Sequence, residues 1–154
     1  MSGSYKAAAP ERKWGPESME WVEGDYRISD DRSLLSIEGT YRLLSANCQP
    51  GRRSKENVRI SIENAICYGV YHCGTQVGFA RVVTDRAAVY WLCDVVIDEG
   101  HRRKGLGKRL IECILASPEL RGLLGILATS DAHGLYERYG FERDSRQFML
   151  RHSA

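Results

Sequence analysis

The sequence predicts a mixed α/β domain in which a mostly antiparallel central sheet is flanked by helices. Three β-rich segments, residues 65–72, 75–84 and 87–97, follow one another across turns too short for a crossover, so they must pair as antiparallel neighbours. A strand, helix, strand, helix run then occupies residues 87–139, which requires helices packed against that sheet. The 154 residues, 43% of them apolar, suit one core and therefore one domain.

Taken in order, residues 1–20 mix Gly, Ser, Pro and charge around Trp14 and read as a flexible leader to a domain at 21–154. Residues 21–29 form a first short strand. Ser29 or Asp30 then caps a helix that carries Leu34, Ile37, Tyr41 and Leu44 at three- and four-residue spacing. Cys48-Gln49-Pro50-Gly51 breaks it, and Ser54, with Glu56 behind it, opens the next. Val58, Ile60 and Ile62 alternate as a strand would, whereas Val58, Ile62 and Ala65 fit a helix; we read helix.

Cys73-Gly74 joins the following two strands as a hairpin, and Asp85-Arg86 turn the chain into a third that is rich in Val, Tyr and Trp. A helix opened by Gly105 places Leu106, Leu110, Cys113 and Ile114 on one side and stops before Pro118. Residues 123–128 are a short apolar strand. Thr129 to Asp131 cap a helix through Tyr139, Gly140 closes it in the left-handed conformation, and Gln147 to Leu150 offer a last strand.

Charge and cysteine usage narrow the function. A net charge of +2 excludes a general nucleic-acid coat, yet five of the eight residues from Arg102 to Arg109 are Arg or Lys. Cys48, Cys67, Cys73, Cys93 and Cys113 contain no C-x-x-C pair, so they read as small buried hydrophobes in a reducing compartment. The four histidines have no metal-ligand spacing, and no metal is implied. No stretch approaches a signal peptide or a membrane span, so a cytoplasmic location is expected, with no membrane partner.

Chemistry is expected between Asp94 and Arg109, where an apolar strand ends in a basic, glycine-spaced turn and restarts as a helix. Such a helix mouth leaves several N–H groups without intrahelical partners, all pointing one way. They suit a phosphate, because the helix dipole adds positive charge and glycine lets an anion's oxygens approach the main chain.

Arg102-Arg103-Lys104-Gly105-Leu106-Gly107 after an apolar strand, followed by Leu135-Tyr136-Glu137-Arg138-Tyr139-Gly140-Phe141, resembles the GNAT superfamily of acetyl-CoA-dependent N-acetyltransferases. The resemblance covers residues 21–150 in element order, and Asp131 to Phe141 is similar to small bacterial members with an Asp-Ala-His-Gly-Leu-Tyr sequence. It implies a GNAT-like fold that uses acetyl-CoA as co-substrate. The diphosphate would meet main-chain amides from Arg103 to Lys108 (Arg103, Lys104, Gly105, Leu106, Gly107 and Lys108), helped by the charges of Arg102, Arg103 and Lys104. The main chain of Val95, Val96 and Ile97 would pair with the pantetheine arm.

Tyr136 takes the family's acid position, able to protonate the departing thiolate. Tyr139 is the better core candidate. Some members carry a general-base Glu where this chain has Leu124, and a cofactor-binding Asn where it has Thr129, which the resemblance makes the cofactor-binding candidate there; Asp94 and Asp131 are the remaining carboxylate candidates, Asp94 for catalysis and Asp131 as a cap. The implied reaction is direct attack by a primary amine of a small molecule or peptide in a ternary complex. The alternative is a non-catalytic acetyl-CoA sensor. Family members often pair, so a homodimer is compatible, although no heptad or apolar stripe calls for one.

Overall fold

Sheet topology follows from where the chain can turn tightly and where it cannot. The structure, a computed structural model, describes residues 18–47 and 53–152. Among the described residues, six strands run in sequence order across one sheet: β1 (Glu20–Glu23), β2 (Tyr26–Ser29), β3 (Ile66–His72), β4 (Thr75–Thr84), β5 (Val89–Ile97) and β6 (Leu124–Leu127). The first five are antiparallel. Only β6 runs parallel to its neighbour, as it must after a helical crossover.

The α-helices of the described residues, α1 (Ile37–Asn47), α2 (Lys55–Glu63), α3 (Leu106–Leu115) and α4 (His133–Glu137), cover the sheet's two faces. Leu43, Leu44, Val58 and Ile62 from α1 and α2 pack with Cys67, Phe79 and Val96. Leu110, Ile111 and Ile114 of α3, with Tyr136 of α4, pack with Tyr68, Val70, Val82 and Leu92. A strand covered on both sides needs apolar residues throughout, which is why β3 reads as a continuous run rather than an alternation.

Several sequence expectations are corrected here. Residues 21–29 are not one strand but lie within a hairpin, split at Gly24-Asp25 with Gly24 at φ +57°. Neither Ser29 nor Asp30 caps α1. Asp31 caps a single 3-10 turn at Arg32–Leu34, and Ser36 Oγ accepts the Gly39 N–H at 2.9 Å to start α1. The Asp85 carboxylate accepts the N–H groups of Ala88, Ala87 and Val89, which holds it down at about 2 and keeps residues 87 and 88 in the turn.

α4 ends at Glu137, two residues before Tyr139. Gly140, at φ +86°, and the bond from Phe141 N–H to Tyr136 O then close it, as a C-terminal glycine should. Residues 147–150 form no strand: no described strand pairs with them, and Met149 is 96% exposed. Cys73 is exposed, against the expectation of burial. Trp14, Cys48 and the helix break at 48–51 fall outside the described residues.

Candidate active site

The site begins with one extra residue in β5. Arg81 of β4 opposes Cys93 and Phe79 opposes Val96, so Asp94 and Val95 together face Ala80 alone. That is a β-bulge, and Asp94 carries it at φ +56°. Asp94 therefore sits inside the strand.

β5 and β6 part just before the bulge. Their pairing runs only from Val89↔Leu124 to Leu92↔Leu127. Beyond Leu92, the main chain of residues 93–97 has β4 on one side and no described strand on the other, which is an open edge able to accept an extended amide chain. Val96 turns its side chain into the α1–α2 core, while Val95 and Ile97 pack toward the opposite one. The three predicted edge residues thus offer backbone at the opening.

The helix mouth lies just after this edge. Arg103 is at φ +62° and Gly105 at φ +78°, and Gly105 precedes α3 with no side chain capping it. The first-turn N–H groups are thereby left without a capping acceptor. A Cβ on Gly105 would meet nothing within 4 Å, and one on Gly107 only Ile97 Cγ1 at 4.0 Å, so the space above the mouth is open. This fits a diphosphate. Leu106 has only its main chain to offer there, because its side chain is buried in the core.

The basic side chains divide. Arg102 Nε donates to Ile97 O at 2.9 Å and its guanidinium also bonds Asn47 Oδ1, so this residue ties the end of β5 to the end of α1. Lys104 Nζ donates to the Tyr26 hydroxyl at 3.2 Å. Arg103 and Lys108 are exposed beside the mouth. Arg109 pairs instead with Glu112 at 2.8 Å on the exposed side of α3.

Asp94 is nearly enclosed, its side chain 7% exposed. Arg53 holds its carboxylate from two nitrogens, at 2.7 and 2.5 Å, and Arg81 Nε holds it at 2.8 Å. Burial raises its pKa, but the hydrogen bonds and charges of the two guanidiniums outweigh burial, and the net shift is downward. A carboxylate stabilised that way is a weak proton acceptor. Neither arginine was singled out from sequence. They lie far from Asp94 along the chain, and only the folded sheet and the approach to α2 bring them to it.

Tyr136 is 8% exposed and belongs to the same apolar cluster as Leu106, Leu110, Val95 and Ile97. Its ring meets Phe141 edge-on at 5.9 Å. The expected ranking of the two tyrosines is reversed. Tyr139 is the less buried, with its hydroxyl on Glu112 at 3.1 Å, whereas the Tyr136 hydroxyl has no hydrogen-bond partner among the described residues. Burial, and then the charge of Asp131, push the Tyr136 pKa upward, so its proton stays on Oη at ordinary pH. Thr129 Oγ1 accepts the Ala132 N–H at 3.0 Å in the turn ahead of α4, but the N-cap is Ala132 with no side chain capping it, so the cap expected within Thr129 to Asp131 is not formed. Burial also pushes the Cys93 thiol up to about 11, which makes it no nucleophile beside the bulge.

A splayed sheet edge leading to an uncapped helix mouth offers main-chain groups to an extended amide chain and to an anion beside it. The chain belongs to the acetyltransferase (GNAT) domain family, whose model matches residues 63–143, more than half of it. A crystal structure of a GNAT-family protein from Xanthomonas campestris pv. campestris is 38% identical, with a TM-score of 0.79 over 86% of this chain and 96% of that one. FG08082 of Gibberella zeae, which carries an acetyltransferase name, is 27% identical over 83% of this chain and 85% of its own. A Clostridium acetobutylicum protein solved with acetyl-CoA shares the fold at 16% identity, TM-score 0.61, over 82% of this chain and 94% of that one.

The protein is an acetyltransferase. Enzymes of this fold use acetyl-CoA, which supplies the thioester whose acyl group is transferred. Among the described residues no helix is long and apolar enough to cross a membrane.

Proposed function

We propose that the chain moves an acetyl group from acetyl-CoA to a primary amine of a small molecule or peptide, within a ternary complex. The observation that carries this is the unpaired β5 edge at residues 93–97 opening directly beside the mouth of α3. In this reading the edge orients the pantetheine arm through Val95, Val96 and Ile97. The amides from Arg103 to Lys108 hold the diphosphate, with Arg103 and Lys108 adding charge, while Arg102 and Lys104 brace the turn. Tyr136 Oη gives its proton to the departing sulfur, and the amine sheds its own to solvent.

Asp94 is here a positioning residue. Locked between Arg53 and Arg81, it fixes the bulge that parts β5 from β6, and a water or an amine arriving neutral replaces a protein base. Thr129 shapes the loop before α4. The locking of Asp94 between two arginines favours a second reading, a non-catalytic acetyl-CoA sensor. Free-thiol release from acetyl-CoA across a panel of primary amines separates the two. Amine-dependent release supports transfer; tight acetyl-CoA binding with no release from any amine supports the sensor.

A further inference from the structure

Two hairpin turns meet at the end of the sheet that carries β1 and β2. The β1–β2 turn presents Asp25 and the β3–β4 turn presents Cys73, with His72 immediately before it. The Cys73 N–H donates to Asp25 O at 3.2 Å, and Tyr26 pairs with His72 in the strand register, so the backbone itself fixes these residues side by side. One carboxylate oxygen of Asp25, one ring nitrogen of His72 and Cys73 Sγ all lie within 4.8 Å of one another. Cys73 Sγ is 3.9 Å from His72 Nε2.

Cys73 is also an unusual residue for its place. With φ +47° at Cys73 and +81° at Gly74, the two-residue loop has both central residues in the left-handed region, where Asn, Asp or Gly is the ordinary first occupant. A cysteine there is disfavoured by backbone conformation and gains nothing from burial, since it is exposed.

We infer that Asp25, His72 and Cys73 form a binding site for a borderline-soft divalent transition-metal ion such as Zn2+. Bonds of about 2.0–2.3 Å to N, O and S in tetrahedral array leave ligand atoms roughly 3.3–3.8 Å apart, so the observed triangle closes on an ion with small side-chain rotations. The three atoms form a triangle, not the relay of a nucleophile, its base and an orienting acid, which would place the carboxylate behind the imidazole. Thiolate and imidazole exclude Mg2+ and Ca2+, which take oxygen ligands.

On binding, the S–H bond of Cys73 breaks, a metal–sulfur bond forms and the proton goes to buffer. The fourth position is left to water. The His72 ring is steadied by Tyr26 and His101, with centroids at 4.7 and 5.0 Å, and Tyr26 bonds His101 Nδ1 at 2.8 Å. Sequence spacing hides the set, because Asp25 reaches His72 only through strand pairing.

The test is a titration of the reduced full chain with Co2+ alone, followed by its near-ultraviolet thiolate charge-transfer band. One band saturating at one equivalent, displaced by Zn2+ and lost in Cys73→Ser, is expected. His72→Gln and Asp25→Asn should each weaken Co2+ by at least the roughly tenfold that even an outer-shell change costs a metal site. No band in the parent chain, a band that survives Cys73→Ser, or a band indifferent to both His72→Gln and Asp25→Asn overturns the site. Circular dichroism and acetyl-CoA affinity of the variants report that each is folded.

Discussion

Arg81 and Asp94 meet across the β4–β5 bulge, with Arg81 Nε 2.8 Å from Asp94 Oδ2. A left-handed aspartate inside a strand is a strained choice, and the ion pair, completed by Arg53, holds it there. Removing one partner leaves a mostly buried carboxylate under-compensated. Arg81→Met should therefore destabilise the protein by about 3 kcal/mol, at the low end for a broken buried pair because Arg53 remains. Urea midpoints of the parent and variant measure this.

The same pair sets an acid limit. The Asp94 pKa is lowered on folding, so its contribution is complete above the unfolded value of about 3.9 and is lost as pH falls through the folded one. Unfolding free energy should fall below about pH 4 in the parent and fall less steeply in Asp94→Asn, whose stability should already be lower at neutral pH. Parallel slopes in the two proteins would contradict the assignment.

At the helix mouth the prediction concerns binding. A side chain at Gly107 has room, its Cβ meeting only Ile97 Cγ1 at 4.0 Å, so Gly107→Glu should fold. A carboxylate beside the proposed diphosphate position should raise the Kd for acetyl-CoA by about tenfold or more, roughly 1.4 kcal/mol. Calorimetry on a folded variant with parental affinity would refute the placement.

For Tyr136 the lone hydroxyl separates chemistry from stability. With no hydrogen-bond partner to lose among the described residues, Tyr136→Phe should change stability by no more than about 0.5 kcal/mol. Loss of a general acid should lower kcat by about a hundredfold or more while acetyl-CoA affinity holds. Because burial raises its pKa, the parent should keep this proton through the usual tyrosine range, and no alkaline loss of kcat assignable to Tyr136 is expected below it.

Gly78 links packing to the site. A Cβ there would lie 2.8 Å from Val70 Cβ and 2.9 Å from Ile97 Cδ1, the former too close to the backbone to swing aside. Gly78→Ala should cost about 1–3 kcal/mol and displace Ile97, raising KM for acetyl-CoA more than it changes kcat. Thermal melting and steady-state kinetics check the two parts.

Much of this was legible in local patterns. The Cys73-Gly74 turn, the helix opened at Gly105 and the closure by Gly140 depend on residues adjacent in sequence, and each is present. The strand expected at 147–150 failed because apolar alternation makes a strand only when an edge receives it. The 21–29 hairpin was missed although Gly24-Asp25 is a turn signal, because the strands on either side are only four residues each.

By itself, then, the sequence determined the order of elements from α1 to α4, the basic glycine turn and the placement of Tyr136 four residues before the final glycine. These are properties of periodicity and local φ preference, written within a few residues. Only the tertiary structure decided that β5 parts from β6 after Leu92, that Arg53 and Arg81 neutralise the Asp94 carboxylate, and that Asp25, His72 and Cys73 converge. Such juxtapositions arise from strand register and helix packing between distant segments, and no local spacing encodes them.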